Sequence, residues 1–160
     1  MDNDKKMNLD SISEEYEKLR APKLKAAQAG RAIRWEFRDQ YGQYGYPDEF
    51  AGMRIDGDKL HVYLTVLDDD TVSKYRDITG EYFDAVVLEK VEYSLKELDA
   101  LKEGAVDLLR KDLPVVTWYS DVDTNRIVVE MLEPEYEDAR RVMNTLANTR
   151  SFASNFSVGK

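Results

Sequence analysis

The sequence predicts an α+β protein: an antiparallel β-sheet of two hairpins plus an additional strand, helices packed on one face, and an N-terminal helical arm. Three observations carry this. Pro114 to Glu133 reads as two runs of β-branched and aromatic residues joined by a polar turn. Asp56-Gly57 sits between two alternating runs, a strong hairpin signal. Ser94 opens a segment in which Leu95, Leu98, Leu101, Ala105 and Leu108 recur at helical spacing.

Taken in order, residues 1–10 are polar. Ser11 to Arg20 predicts a helix, with Ser11 or Ser13 as cap and Glu14, Glu15 and Glu17 at the positive end of the dipole. Pro22 is expected to interrupt or restart it. Ile12, Tyr16, Leu19, Ala26, Ile33 and Phe37 share a stripe that extends the helix to about Gln40. Between Lys18 and Arg38 the helix carries Lys18, Arg20, Lys23, Lys25, Arg31, Arg34 and Arg38, with Glu36 as the one acid of that stretch. Two readings apply: a cationic arm for an acidic partner, or a solvated face balancing an acidic remainder, which is the plainer.

Tyr41 to Pro47, rich in Gly and Tyr, breaks the pattern and links arm to sheet. Phe50 to Val66 then gives the first hairpin, with Leu60, Val62, Leu64 and Val66 facing one way and His61, Tyr63 and Thr65 the other. His61 is the chain's single histidine. It stands mid-strand with no nucleophile motif nearby, so it reads as a sheet residue. Asp68, Asp69 and Asp70 precede a short helical pattern ending at Gly80; adjacent acids point apart, so helix N-capping fits them better than metal binding. Ala85 to Tyr93 reads as a further strand.

Ser94-Leu95-Lys96-Glu97 is a capping box: each end side chain satisfies a free backbone N–H. Its helix closes on Arg110 and Lys111, cations suited to the negative end. In the second hairpin Val116, Trp118 and Val122 share one parity, as do Ile127, Val129 and Met131 on the return, and these sets are expected to face the core. Thr117, Tyr119, Asp121 and Glu130 take the opposite side. Asp121, Asp123 and Asn125 resemble the start of a calcium loop, but Arg126 and Leu132 stand where Gly and Glu are required, so a turn is the better reading. Pro134 predicts a last helix. The tail, rich in Ser and Asn, carries Phe152 and Phe156. The expected organisation is 1–48 helical arm and linker, 49–148 α+β domain, 149–160 flexible tail. No internal repeat is visible in the residues, although the two hairpins look like distant structural echoes.

Composition narrows the function. The chain has 160 residues, and 42% hydrophobic content suits a folded domain with a sizeable core. A net charge of −9 disfavours bulk nucleic acid and anionic membranes. The absence of cysteine excludes disulfides, thiol catalysis and thiolate metal sites. No run is apolar enough for membrane insertion, and no signal peptide is visible. Carboxylates are plentiful, yet no spacing sets up a paired acid and base. The expectation is therefore no enzyme, no catalytic residues, no cofactor and no metal.

Four stretches carry a family resemblance: Phe50-Ala51-Gly52-Met53-Arg54-Ile55-Asp56, Leu60-His61-Val62-Tyr63-Leu64-Thr65, Val91-Glu92-Tyr93-Ser94-Leu95-Lys96-Glu97-Leu98, and Val122-Asp123-Thr124-Asn125-Arg126-Ile127-Val128-Val129. In order and spacing, over roughly residues 50–130, the chain resembles the pro-region of α-lytic-type bacterial trypsin-like serine proteases. No Gly-Asp-Ser-Gly nucleophile motif is present, so the protease itself is not expected here. The resemblance implies an α-β-β-α-β-β module that assists folding of a serine protease and inhibits it, binding by sheet pairing and a tail, in a secreted or cell-surface setting. The candidate partner-binding residues are Thr117, Trp118, Tyr119, Phe152 and Phe156. The alternative is a stand-alone structural or cell-surface protein that keeps the fold without a protease partner.

Overall fold

The computed structural model describes residues 9–110, 115–132 and 152–157, and its class is α+β. Helix α1 runs Leu9–Tyr41 without a break. Pro22 lies inside it rather than ending it. The carbonyl it leaves without an amide donor, four residues back, belongs to exposed Lys18, where water can take the bond. Only the second half of the expected stripe is core. Ala26, Ala29, Ile33 and Phe37 are buried, whereas Ile12, Tyr16 and Leu19 are exposed, Leu19 to 69%.

The buried face of α1 packs on the first sheet, whose strands are β1 (Phe50–Asp56), β2 (Lys59–Leu64) and β3 (Val86–Lys90). Leu60, Val62 and Leu64 present the predicted apolar side of β2 and meet Ile33 and Phe37 in one core with Phe50, Tyr75 and Ala85. Residues on both sides of position 48 therefore share this core. Phe37 meets Phe50 edge-on at a centroid distance of 5.0 Å, an arrangement favoured by the quadrupoles of the rings. Gly30 of α1 faces Leu60: a Cβ there would stand in ordinary contact with its side chain, at 3.6 Å.

Helix α2 (Asp69–Thr79) starts as the acids predicted. Asp68 is its cap, accepting from the Thr71 amide at 2.8 Å and its hydroxyl at 2.7 Å. Gly80 ends it at φ 54°, a left-handed value that glycine adopts freely. A 3-10 segment then leads into β3. Helix α3 (Leu95–Arg110) opens with the full capping box: Glu97 accepts from the Ser94 amide at 2.7 Å, and Ser94 Oγ from the Glu97 amide at 3.1 Å. Leu98 is buried, but Leu101, on the same predicted stripe, is exposed. Strands β4 (Val115–Asp121) and β5 (Arg126–Leu132) form the second hairpin. The helix expected from Pro134 lies outside the described residues.

The hairpins do not share one sheet. Among the described residues there are two three-stranded sheets, β1-β2-β3 and β4-β5-β6, each an antiparallel hairpin with a parallel third strand. Strand β6 (Phe152–Ser157) occupies part of the segment expected to be a flexible tail.

The two sheets repeat each other residue by residue. Both first strands carry a register shift at the same place, Phe50/Gly52 and Val115/Thr117. From there Met53↔Val62 corresponds to Trp118↔Val129, and Asp56↔Lys59 to Asp121↔Arg126. The third strands enter alike: Val86 opposite Leu60, and Phe152 opposite Ile127. A helix precedes each hairpin. Among the described residues the two hairpins are thus structural echoes of each other, as expected, although no repeat is visible in the residues themselves.

Candidate functional site: the open edge of the second sheet

The second hairpin is held by its turn. Asn125 adopts φ 54°, a left-handed value that Asn tolerates better than most residues. That conformation turns its buried amide onto the peptide of Tyr93. Nδ2 donates to the Tyr93 carbonyl at 2.7 Å, and Oδ1 accepts from the Tyr93 N–H at 2.7 Å. Arg126 lies over the Tyr93 ring at 5.3 Å and pairs with Glu92 at 3.1 Å. The calcium-loop residues are engaged as turn residues. Asp121 accepts from the Thr124 hydroxyl at 2.7 Å and from the Asp123 amide at 3.3 Å. Asp123 in turn pairs with Arg54 Nε at 2.6 Å and accepts from the Tyr63 hydroxyl at 3.3 Å.

These contacts dock the turn on the first sheet. Their centre is Gly52, at φ +117° in the β1 register shift, where a Cβ would stand 2.9 Å from both methyls of Val122. Tyr63, on the face of β2 opposite Leu60, Val62 and Leu64, is buried too, and its hydroxyl meets the second module at Asp123. Asp99 of α3 adds a second tie, accepting from the Tyr46 hydroxyl at 3.2 Å and the Ser120 hydroxyl at 3.4 Å. Burial, reinforced by the Asp99 carboxylate, pushes the Tyr46 phenol up and keeps it a neutral donor.

From this anchor the second sheet extends with β5 in the middle. Ile127 and Val129 are fully buried, as their parity predicts, and Val128 is buried too, so both faces of β5 are covered. Strand β4 is an edge, paired only with β5 among the described residues. It carries three of the five candidate contact residues. Thr117 and Trp118 are half-buried, and Tyr119 is 42% exposed. Burial first, then the Glu130 and Asp121 carboxylates, pushes the Tyr119 phenol up, so it too remains a neutral donor.

Phe152 and Phe156 stand on β6, the opposite edge, in register with Ile127 and Met131. One strand lies between the two groups, a separation of about 10 Å. The structure therefore does not gather the five residues along one edge. Sequence reasoning missed the joint itself. Asn125 had been read as a turn former and Gly52 only as part of a family-like stretch. A glycine breaking a strand pattern is, however, a recognisable signal of a bulge or close backbone approach.

Other chemistry is sparse. His61 Nδ1 lies 2.6 Å from the Glu89 carboxylate across the first sheet, as part of that sheet's surface. Among the described residues no group of three or more His, Asp or Glu is arranged to hold a metal ion, and no helix is long and apolar enough to cross a membrane. What β4 offers is a row of main-chain donors and acceptors beside exposed aromatic surface, the material of strand addition.

Comparison with known proteins falls on this same module. No curated protein matches the chain. The family model of the Alpha-lytic protease prodomain matches residues 93–145, about a third of the sequence. The match begins at Tyr93, where the turn is docked, and takes in α3, β4 and β5. The second part of the resemblance seen over residues 50–130 thus coincides with a family match, which runs on to residue 145. The chain carries, in its second module, a domain like the pro-region of α-lytic proteases.

Proposed function

We propose that the protein is a non-enzymatic interaction module of the protease pro-region type, which assists the folding of an α-lytic-type serine protease and inhibits the folded enzyme. The observation that carries this reading is the coincidence of the prodomain match, residues 93–145, with a sheet whose strand β4 is an unpaired edge among the described residues. An edge strand binds a partner through main-chain hydrogen bonds, which supply affinity, while neighbouring side chains select the partner. Thr117, Trp118 and Tyr119 are the selecting side chains on β4; Phe152 and Phe156 contribute from the other edge.

The test is refolding of a denatured α-lytic-type bacterial protease with and without the whole chain, followed by titration of the active enzyme. A raised refolding yield and dose-dependent inhibition are expected. Tyr119→Lys places a charge on the edge, the device natural sheets use to deter strand pairing. It is expected to weaken inhibition about tenfold, because the lost contact is worth on the order of 1–2 kcal/mol. Unchanged yield and unchanged activity with the unmodified chain would overturn the proposal.

A further inference from the structure

The first module, outside the residues matched to the prodomain, carries a cleft of its own. It lies between the last turns of α1 and the Tyr-Gly linker and encloses about 450 Å³, within the ordinary range of ligand sites. Its floor is apolar: Phe37, Phe50 and Met53. Its mouth is cationic. Arg31, Arg34 and Arg38 line one side, all exposed, and Tyr44 stands opposite at 86% exposure. Trp35, half-exposed at 51%, lies under the Arg38 guanidinium at 5.2 Å.

Among the described residues none of these three guanidinium groups forms an ion pair, although the chain carries a net charge of −9. Of the neighbouring acids, Asp48 pairs with Lys96 and Glu49 with Lys74, while Glu36 accepts from the neutral Gln40 amide. Among the described residues Asp39 forms no ion pair. Glu36 and Asp39 share these turns of helix, but the cleft itself is lined by three arginines and by no carboxylate, so its mouth is locally positive above an apolar floor.

We infer that this cleft binds an extended acidic segment of a partner polypeptide, one apolar or aromatic side chain of which enters the floor. The spacing favours a peptide over a single small anion. The arginines span seven residues of helix, a rise of about 10 Å, which matches about three residues of extended chain. Two carboxylates at alternate positions of such a segment fall within reach of the three guanidiniums, whose planar forks suit them. A net charge of −9 opposes any long polyanion; a short segment alternating acidic with apolar residues carries few charges and matches both mouth and floor. This site is independent of the edge of the second sheet.

Isothermal titration calorimetry of the whole chain tests it. The probe is a synthetic peptide alternating glutamate and leucine around one phenylalanine; its controls are the glutamine-for-glutamate peptide, inorganic phosphate and a single-stranded oligonucleotide. Binding of the acidic peptide at roughly 10–100 μM is expected at low salt, weakening as salt rises. Arg34→Gln and Arg38→Gln, at exposed positions, are each expected to weaken it about tenfold with the far-UV circular dichroism unchanged. Lys25→Gln, on the same helix but outside the cleft, leaves the affinity unchanged. No binding, equal binding of the neutral peptide, unchanged affinity in both arginine variants, a like loss in Lys25→Gln, or tighter binding of phosphate or oligonucleotide would each overturn the assignment.

Discussion

Replacing Gly52 by alanine probes the contact that joins the two modules. Two costs are expected. At φ +117° an L-residue sits in backbone space that is essentially glycine's, costing about 1–3 kcal/mol. The new methyl also meets both Val122 methyls at 2.9 Å, which real Cβ atoms do not tolerate, and such overpacking costs about 1–3 kcal/mol. The reduced freedom of the unfolded chain returns about 0.4–1 kcal/mol. The net loss should be about 3 kcal/mol, or about 1.5 M in a urea midpoint if the slope is near 2 kcal/mol per M. Val122→Ala separates the two costs. It removes the clash and leaves the backbone term, so Gly52→Ala should cost about 1–2 kcal/mol less in that background. The full cycle is read from urea unfolding of the four proteins. Equal costs in both backgrounds would mean that Gly52 and Val122 are not in contact, and the packing of the second turn on β1 would have to be given up.

Two further perturbations address the same architecture. Asn125→Ala removes both hydrogen bonds to the Tyr93 peptide and places alanine at φ 54°; a loss of about 2–3 kcal/mol is expected in urea unfolding. Asn125→Gly relieves only the dihedral and should recover about 1 kcal/mol of it; equal stability of both variants and the parent would refute the clamp. At the start of α2, the Thr71 hydroxyl and then the Thr71 amide hold the Asp68 carboxyl below the usual aspartate range. A lowered folded-state value means that the stabilising contribution is complete above the unfolded value and is lost as pH falls through the folded one, here in the window below about pH 4. The Thr71 amide resonance should report that loss on acidification, and Asp68→Asn should flatten the titration; a Thr71 shift that survives the substitution would assign it to another group.

What could be read from the residues is what neighbours in sequence decide. The Ser94 and Glu97 reciprocal cap, the Asp68 cap with Gly80 at the far end of its helix, and the Asp56-Gly57 turn are all local bonds, and each stands as its residues imply. The α+β class followed from them. The division into two sheets did not, because a parallel third strand bonds across a long connection and its alternation says nothing about which partner it chooses. Pro22 within α1 was missed for the opposite reason, since a local penalty was offset where water replaces the lost bond. Among the candidate site residues, Thr117, Trp118 and Tyr119 were legible as strand residues, but their place on an edge belongs to the topology.

The repeat was hidden by its economy. Aligned by register, the two hairpins share identical residues only at Asp56 and Asp121 and at Val62 and Val129, with Leu60 against Ile127, Leu64 against Met131 and Lys59 against Arg126 as like pairs. Those positions specify what a half-buried hairpin needs, an apolar row on the returning strand and a charged pair beside the turn. The remaining positions differ, and the difference has structural consequences. Where the first copy has Gly52, the second has Thr117; where it has Arg54, the second has Tyr119. Gly52 and Arg54 are two residues through which the first sheet receives Val122 and Asp123 of the second hairpin. Their counterparts on β4 have no such turn to receive among the described residues and remain at an edge. The same register position thus makes an internal joint in one copy and an outward surface in the other. That asymmetry, more than any single residue, is the support for proposing a binding role at the second sheet rather than the first.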